Sequence, residues 1–181
     1  MRGAYTAKVS LNRFLRFFKF GYIPGRSIIS LRAHIERGMR FTIGKNSSIG
    51  DYSRLTGRGS GTIAIGDNTD IGHFVLLEAR RGGFIKIGNG SGINAFSVVY
   101  GHGGVTIGDH TRIACNAIIM AGNHNFDDPT KNIYEQGVSK KGIVIGNDVW
   151  VGGGVHILDG VTIIFHHRSH VPARVAIWCN E

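Results

Sequence analysis

An all-β chain wound into a parallel β-helix of hexapeptide repeats is the fold this sequence predicts, on three observations. First, an aliphatic residue followed by glycine recurs on a six-residue rhythm, as in Ile49-Gly50, Ile65-Gly66, Ile71-Gly72, Ile87-Gly88, Ile107-Gly108, Ile145-Gly146 and Val151-Gly152. A period of six is neither the 2 of a lone strand nor the 3.6 of a helix, so the chain must turn a corner after each short strand. Second, longer-range starts at Ile43, Ile65, Ile87, Ile107, Ile145 and Ile163 are separated by 22, 22, 20, 38 and 18 residues. Three hexads make a triangular coil, the excess bulges outward, and the spacing of 38 reads as two coils plus one long loop. Third, 28 glycines and 3 prolines among 181 residues oppose helix propagation and suit turns.

Residues 1–40 come first and differ from the rest. They hold nine Arg or Lys against Glu36 alone, a charge of +8, whereas the remaining 141 residues carry +1 of the total +9. Leu11, Leu15, Phe18 and Tyr22 follow helical spacing with Arg13, Arg16 and Lys19 between them, so the segment is expected to be a basic helical cap. One role for it is to cover the open end of the prism, since a solenoid needs its terminal coil shielded. The other is peripheral contact with an anionic membrane surface. Nucleic acid fits poorly, because no helix-turn-helix, finger or RNP pattern accompanies the charge.

Residues 41–163 form the β-helix. Ile43, Ile65, Ile87, Ile107, Ile145 and Ile163 are expected to stack in one inward column, each coil adding about 4.8 Å along the axis. Glycine after the aliphatic, and Asn or Asp at Asp51, Asp67, Asn68, Asn89, Asp109, Asn147 and Asp148, are expected at backbones of positive φ. No apolar run approaches the roughly 18 residues of a membrane span. Two cysteines are too few for a disulfide framework, and Cys115 is expected to fill a coil. With charges scattered through the N-terminal apolar residues in place of a signal peptide, a cytoplasmic location is expected.

The chemistry is expected around the loop 123–142, since long loops in compact folds usually carry function. His124 stands where the chain leaves the coil, with Asp127, Asp128 and Glu135 available to orient its ring, and a histidine there suits a general base. Beyond the loop, Trp150 precedes Gly152, Gly153 and Gly154, a large ring among residues without side chains, which suits a slot for a slender ligand. The unobstructed glycine N–H groups suit an oxyanion.

The hexads, Gly122-Asn123-His124 before the loop, and IGNDVWVGGGVHILDGVTI at 145–163 resemble the hexapeptide-repeat acyltransferases, in particular the sugar and polysaccharide O-acetyltransferases. The resemblance implies a left-handed parallel β-helix, a homotrimer with sites between subunits, and acetyl-CoA as acyl donor without a metal. It implies His124 as catalytic base for direct transfer to a sugar hydroxyl, Asn94 in the acceptor site, and Trp150, Gly152 and Gly153 in the cofactor slot. His102 falls where the family places a sugar-binding aspartate. The acceptor implied is a sugar, free or carried on a nucleotide or lipid, in surface polysaccharide synthesis at the inner membrane face.

Residues 164–181 depart from that pattern. Val171-Pro172-Ala173-Arg174-Val175 resembles the family's closing loop, in which Arg174 would meet the cofactor phosphates, but about one coil before it is missing. This atypical tail keeps a second reading open, a catalytically impaired trimeric scaffold. A third, a γ-carbonic anhydrase-like zinc enzyme, needs a histidine pair five residues apart, and no two of the nine histidines have that separation.

Overall fold

The structure, a computed structural model, describes residues 23–57 and 60–164 and the backbone of the strand Ala173–Val175. The helix expected around Leu11 to Tyr22 lies outside the described residues.

The described chain is a parallel β-helix of about six coils, each laying one short strand in each of three sheets. The first sheet stacks Ile28–Ile29, Ser48–Ile49, Asp70–Ile71, Gly92–Ile93, Arg112–Ile113, Val149–Val151 and Ala173–Val175. The second stacks His34–Ile35, Arg54–Thr56, Leu76–Glu78, Val98–Tyr100, Ile118–Met120 and His156–Leu158. The third stacks Arg40–Ile43, Thr62–Ile65, Phe84–Ile87, Val105–Ile107, Ile143–Ile145 and Thr162–Ile163. The predicted column holds, with Ile43, Ile65, Ile87, Ile107, Ile145 and Ile163 in consecutive register. Ile63, Leu77, Ile85, Val99, Ile119 and Ile157 are wholly buried beside it. No coil can bury this apolar face alone, so stacking is what stabilises it.

Four expectations are corrected. The β-helix starts before residue 41: Ile28–Ile29 and His34–Ile35 already pair with the next coil, and Ile29 and Ala33 are buried. The spacing of 38 is one coil interrupted by one loop, since Ile107 pairs directly with Ile145. Glycine beside the aliphatic is required by close approach: a Cβ on Gly66 would lie 2.7 Å from the backbone of Gly88. Positive φ falls elsewhere, on Asn46, Asn68, His110 and Asp148 at one corner and on Tyr52, Phe74, Phe96 and Asn116 at another. Finally, Cys115 is exposed and fills no coil.

Of the named Asx residues, Asn68 and Asp148 adopt positive φ, while Asp67, Asn89, Asp109 and Asn147 form a ladder. The side-chain oxygen of each accepts the backbone N–H one coil back, from Lys45, Asp67, Asn89 and Asp109, at 2.6–2.9 Å. Behind it, the buried hydroxyls of Ser47, Thr69, Ser91 and Thr111 each donate to a carbonyl of the following coil, those of Gly66, Gly88, Gly108 and Gly146. Buried polar groups at this corner are thus paired, as their desolvation demands.

The corners differ in length. Among the described residues, every connection from the first sheet to the second has four residues, as in 50–53, 72–75, 94–97, 114–117 and 152–155. From the second to the third it varies: 57–61, 79–83, 101–104, 121–142 and 159–161. The long loop is therefore the largest of several bulges at one edge of the prism.

Candidate functional site

The loop is a hairpin. Asn123–His124 pairs antiparallel with Val138–Ser139, and a 3₁₀ turn covers Ile133–Gln136. Gln136 holds the tip together: its amide oxygen accepts Asp128 N–H at 2.9 Å, its NH₂ donates to the carbonyls of Asp128 and Lys131, and its own carbonyl accepts from Asn125. The base is tied to the last coil by Asp159, which accepts from Ser139 Oγ, Lys141 N–H and Gly142 N–H at 2.8–2.9 Å. Burial pushes the Asp159 carboxyl up, but the hydrogen bonds from Lys141, Ser139 and Gly142 outweigh it and hold the group below the usual carboxylate range. Neither Gln136 nor Asp159 is singled out by the sequence pattern.

His124 sits exposed at the root of this hairpin. Two of its expected carboxylate partners are engaged elsewhere. Asp128 accepts from Thr130 and Lys131, which hold it below its usual range, and Glu135 accepts from Asn132.

His102 lies at the same edge, one coil earlier, in the turn 101–104. Its Nε2 is 3.2 Å from Oε1 of Glu78, a carboxylate only 7% exposed. Glu78 also takes Arg80 Nη2 at 2.5 Å and the Thr56 hydroxyl at 3.3 Å. Arg80 Nε is buried without a partner among the described residues. The Tyr100 ring packs against the imidazole at 5.5 Å. Sequence reasoning missed Glu78. A charged residue immediately after the inward Leu77 was the available signal.

Asn94 and Trp150 lie elsewhere, in a groove of about 990 Å³ along the outer face of the first sheet. Between them, Arg112 stands in register beside Trp150 and lays its guanidinium over Gly92, where a Cβ would meet Nη1 at 2.6 Å. The groove thus offers a cation beside an indole that is 40% exposed, which suits a ligand with a flat ring or an anionic group. Gly152 and Gly153 follow Trp150 into the turn. A Cβ on Gly152 would meet only Val155, and one on Gly153 would lie 3.3 Å from Cys115 O, so packing does not forbid a side chain at Gly152. Gly154 N–H is not free for an oxyanion, since it donates to Cys115 O. The backbone of Arg174 is in register with Trp150; the Arg174 side chain lies outside what is described.

The predicted site residues therefore form two groups on opposite edges of the second sheet. Asn94, Trp150, Gly152 and Gly153 belong to the first-sheet side, and His102 and His124 to the edge facing the third sheet. One chain does not bring them together. Among the described residues, no group of three His, Cys, Asp or Glu is placed to hold a metal ion.

No protein-family model matches the chain. A probable acetyltransferase of Mycobacterium tuberculosis is 39% identical over 59 residues, 33% of this chain, and the match spans only 20% of that protein. Among solved structures, AntD, an N-acyltransferase from Bacillus cereus in complex with dTDP and 3-hydroxybutyryl-CoA, is 20% identical with a TM-score of 0.49, covering 81% of this chain and 69% of that one. The polysialic acid O-acetyltransferase OatWY is 22% identical with a TM-score of 0.47, covering 75% and 72%. With its hexapeptide rhythm, its stacked triangular coils and this stretch of shared sequence, the chain is similar to the hexapeptide-repeat acetyltransferases.

Proposed function

We propose that this protein is an acetyl-CoA-dependent O-acetyltransferase that acts on a sugar hydroxyl, free or carried on a nucleotide or lipid, and works as a homotrimer. The observation that carries this reading is the separation of the two groups. A polar corner with two histidines and a groove with Arg112 and Trp150 face away from each other in one chain, so each is half a site, and copies packed side by side bring the corner of one to the groove of the next.

In this reading the groove takes the donor. Trp150 packs against its slender thioester arm, Arg112 meets an anionic group, Gly153 N–H faces the thioester oxygen, and Asn94 binds the acceptor. A histidine of the corner removes the proton of the attacking hydroxyl, and the sequence nominates His124. The hydroxyl attacks the thioester directly, without a covalent enzyme intermediate. The charge of +8 on residues 1–40 supports peripheral contact with an anionic membrane face, in the cytoplasm, and hence a place in surface polysaccharide synthesis.

Calorimetric titration with acetyl-CoA tests the reading. Saturable binding at one site per chain is expected, abolished in Trp150→Ala and kept in His124→Ala. A folded trimer that binds no acetyl-CoA would overturn it in favour of the scaffold reading.

A further inference from the structure

Two imidazoles share the corner between the second and third sheets, and among the described residues only His102 is bonded to a carboxylate. Of the acids expected to orient His124, Asp128 and Glu135 are committed within the hairpin. His102, by contrast, is bonded to Glu78 at 3.2 Å. A carboxylate in ion pair with Arg80 only accepts, so Nε2 of His102 carries a hydrogen, and in the neutral ring the lone pair is then on Nδ1. Among the described residues nothing bonds to that Nδ1, and the His102 side chain is 31% exposed.

The surroundings are built for this arrangement. Burying Glu78 beneath the turns of this corner is costly, and Thr56, Arg80 and His102 together offset the cost. His102 stands between Gly101 and Gly103, and neither tolerates a side chain: a Cβ would meet Phe84 O at 2.5 Å in the first case and Ala121 O at 2.8 Å in the second. The turn is thereby pressed against its neighbours with only the imidazole projecting. Its Cβ comes within 3.9 Å of the Cβ position of Gly122, so His102 lies under the root of the strand that carries His124. Charged or titratable groups around the ring are Glu78 and Arg80 from the preceding coil, Tyr100 from its own, His124 above, and Lys140, whose backbone passes beside Gly103.

We propose that His102, oriented by Glu78, is the proton acceptor of the transfer reaction, and that His124 binds the acceptor from the hairpin. The inference rests on the acetyltransferase reading and reassigns one role within it. Nδ1 of His102 takes the hydroxyl proton as the acceptor oxygen bonds to the thioester carbonyl carbon. The carbon–sulfur bond breaks, and the proton passes on to the departing thiolate, giving ester and free CoA with an unchanged enzyme. Glu78 touches neither reactant and is a positioning residue.

The test uses the full chain with acetyl-CoA as donor and N-acetylglucosamine or water as acceptor, followed by thiol release. His102→Gln is expected to lower kcat by about 10²–10⁴-fold, the usual contribution of a general base, with acetyl-CoA affinity unchanged. His124→Gln is expected to raise the acceptor KM and to leave the acid limb of the kcat/KM profile in place. Glu78→Gln is expected to lower kcat by about 10–100-fold, as loss of an orienting partner does, with acetyl-CoA affinity unchanged. If Glu78→Gln does not fold, the half-exposed His102→Gln carries the kinetic test. Loss of turnover in His124→Gln with full turnover in His102→Gln overturns the proposal. Nitrogen-15 NMR of the unliganded protein decides the tautomer independently: a hydrogen on Nε2 of His102 is expected, and one on Nδ1 overturns the proposal whatever the kinetics. Folded wild-type protein that neither binds acetyl-CoA nor releases thiol would refute the acetyltransferase reading instead, and the NMR experiment alone would then decide whether Glu78 orients His102.

Discussion

Two edges of the same prism are built on opposite terms. Between the first and second sheets every connection has four residues, and Tyr52, Phe74 and Phe96 stand one above another with ring centroids 5.0 and 5.1 Å apart. Between the second and third sheets the connections run from three residues to the 22 of 121–142, and they carry Arg80, His102 and His124 together with the exposed Phe126 and Tyr134. The first edge is repetitive enough to stack like on like even at strained backbones, for all three aromatics sit at φ of 56–62°. The second tolerates length, because its turns project away from the column of isoleucines. His102 and His124 both lie where length is free, whereas Asn94, Gly152 and Gly153 lie in the fixed four-residue turns.

The largest effect expected from this contrast comes from lengthening each edge in turn. A Gly-Ser pair inserted after His73 breaks the aromatic stack and the four-residue turn, and should abolish cooperative unfolding. The same pair inserted after Arg81 enlarges a turn that already varies, and the loop-closure cost is only about 0.6 kcal/mol per doubling. Circular dichroism melts of both variants check this, and equal damage would mean that the two edges are equally constrained.

A smaller effect is expected within the aromatic ladder. Phe74→Ala removes two stacked pairs, each worth about 0.5–1.5 kcal/mol beyond area burial, while keeping a Cβ at φ 56°. Phe74→Gly loses the same stacking but relieves the left-handed backbone. Urea denaturation should place Phe74→Gly at or above Phe74→Ala in stability, the reverse of the order expected for an ordinary strand residue.

The smallest concerns the hairpin clasp. Asp159 has a folded pKa below its ordinary value, so its contribution is fully present above the ordinary carboxylate pKa of about 3.9 and is lost as pH falls through the folded value. Asp159→Asn should accelerate hydrogen exchange at Lys141 and Gly142 at neutral pH while leaving the melting temperature nearly unchanged. In the variant, the acid-dependent loosening of these two amides should disappear.

What the sequence makes legible follows from the same contrast. The isoleucine column can be read because an inward residue recurs wherever a coil closes, and no bulge alters which residue closes it. The first coil escapes notice because Ile29 and Ile35 are followed by Ser30 and Glu36, so the aliphatic–glycine pair is absent although the burial pattern is not. The spacing of 38 is misread because residue counts do not distinguish a second coil from a hairpin within one coil. Asn68 and Asp148 do adopt positive φ, but the glycines after the aliphatics and the ladder residues Asp67, Asn89, Asp109 and Asn147 are recognised as corner residues for another reason, close approach and inter-coil bonding. His124 is conspicuous at the exit from the coil. Its neighbour His102 reads as an isolated substitution because Glu78 is 24 residues away and only the stacking joins them.

The ladders at the remaining corner carry a mechanical consequence. The Asx oxygens of Asp67, Asn89, Asp109 and Asn147 and the hydroxyls of Ser47, Thr69, Ser91 and Thr111 all bond between adjacent coils, in the same sense as the strand pairing. A pull along the prism axis would open these bonds one storey at a time. A pull across the axis would load every rung together, which makes the molecule compliant lengthwise and stiff across its faces.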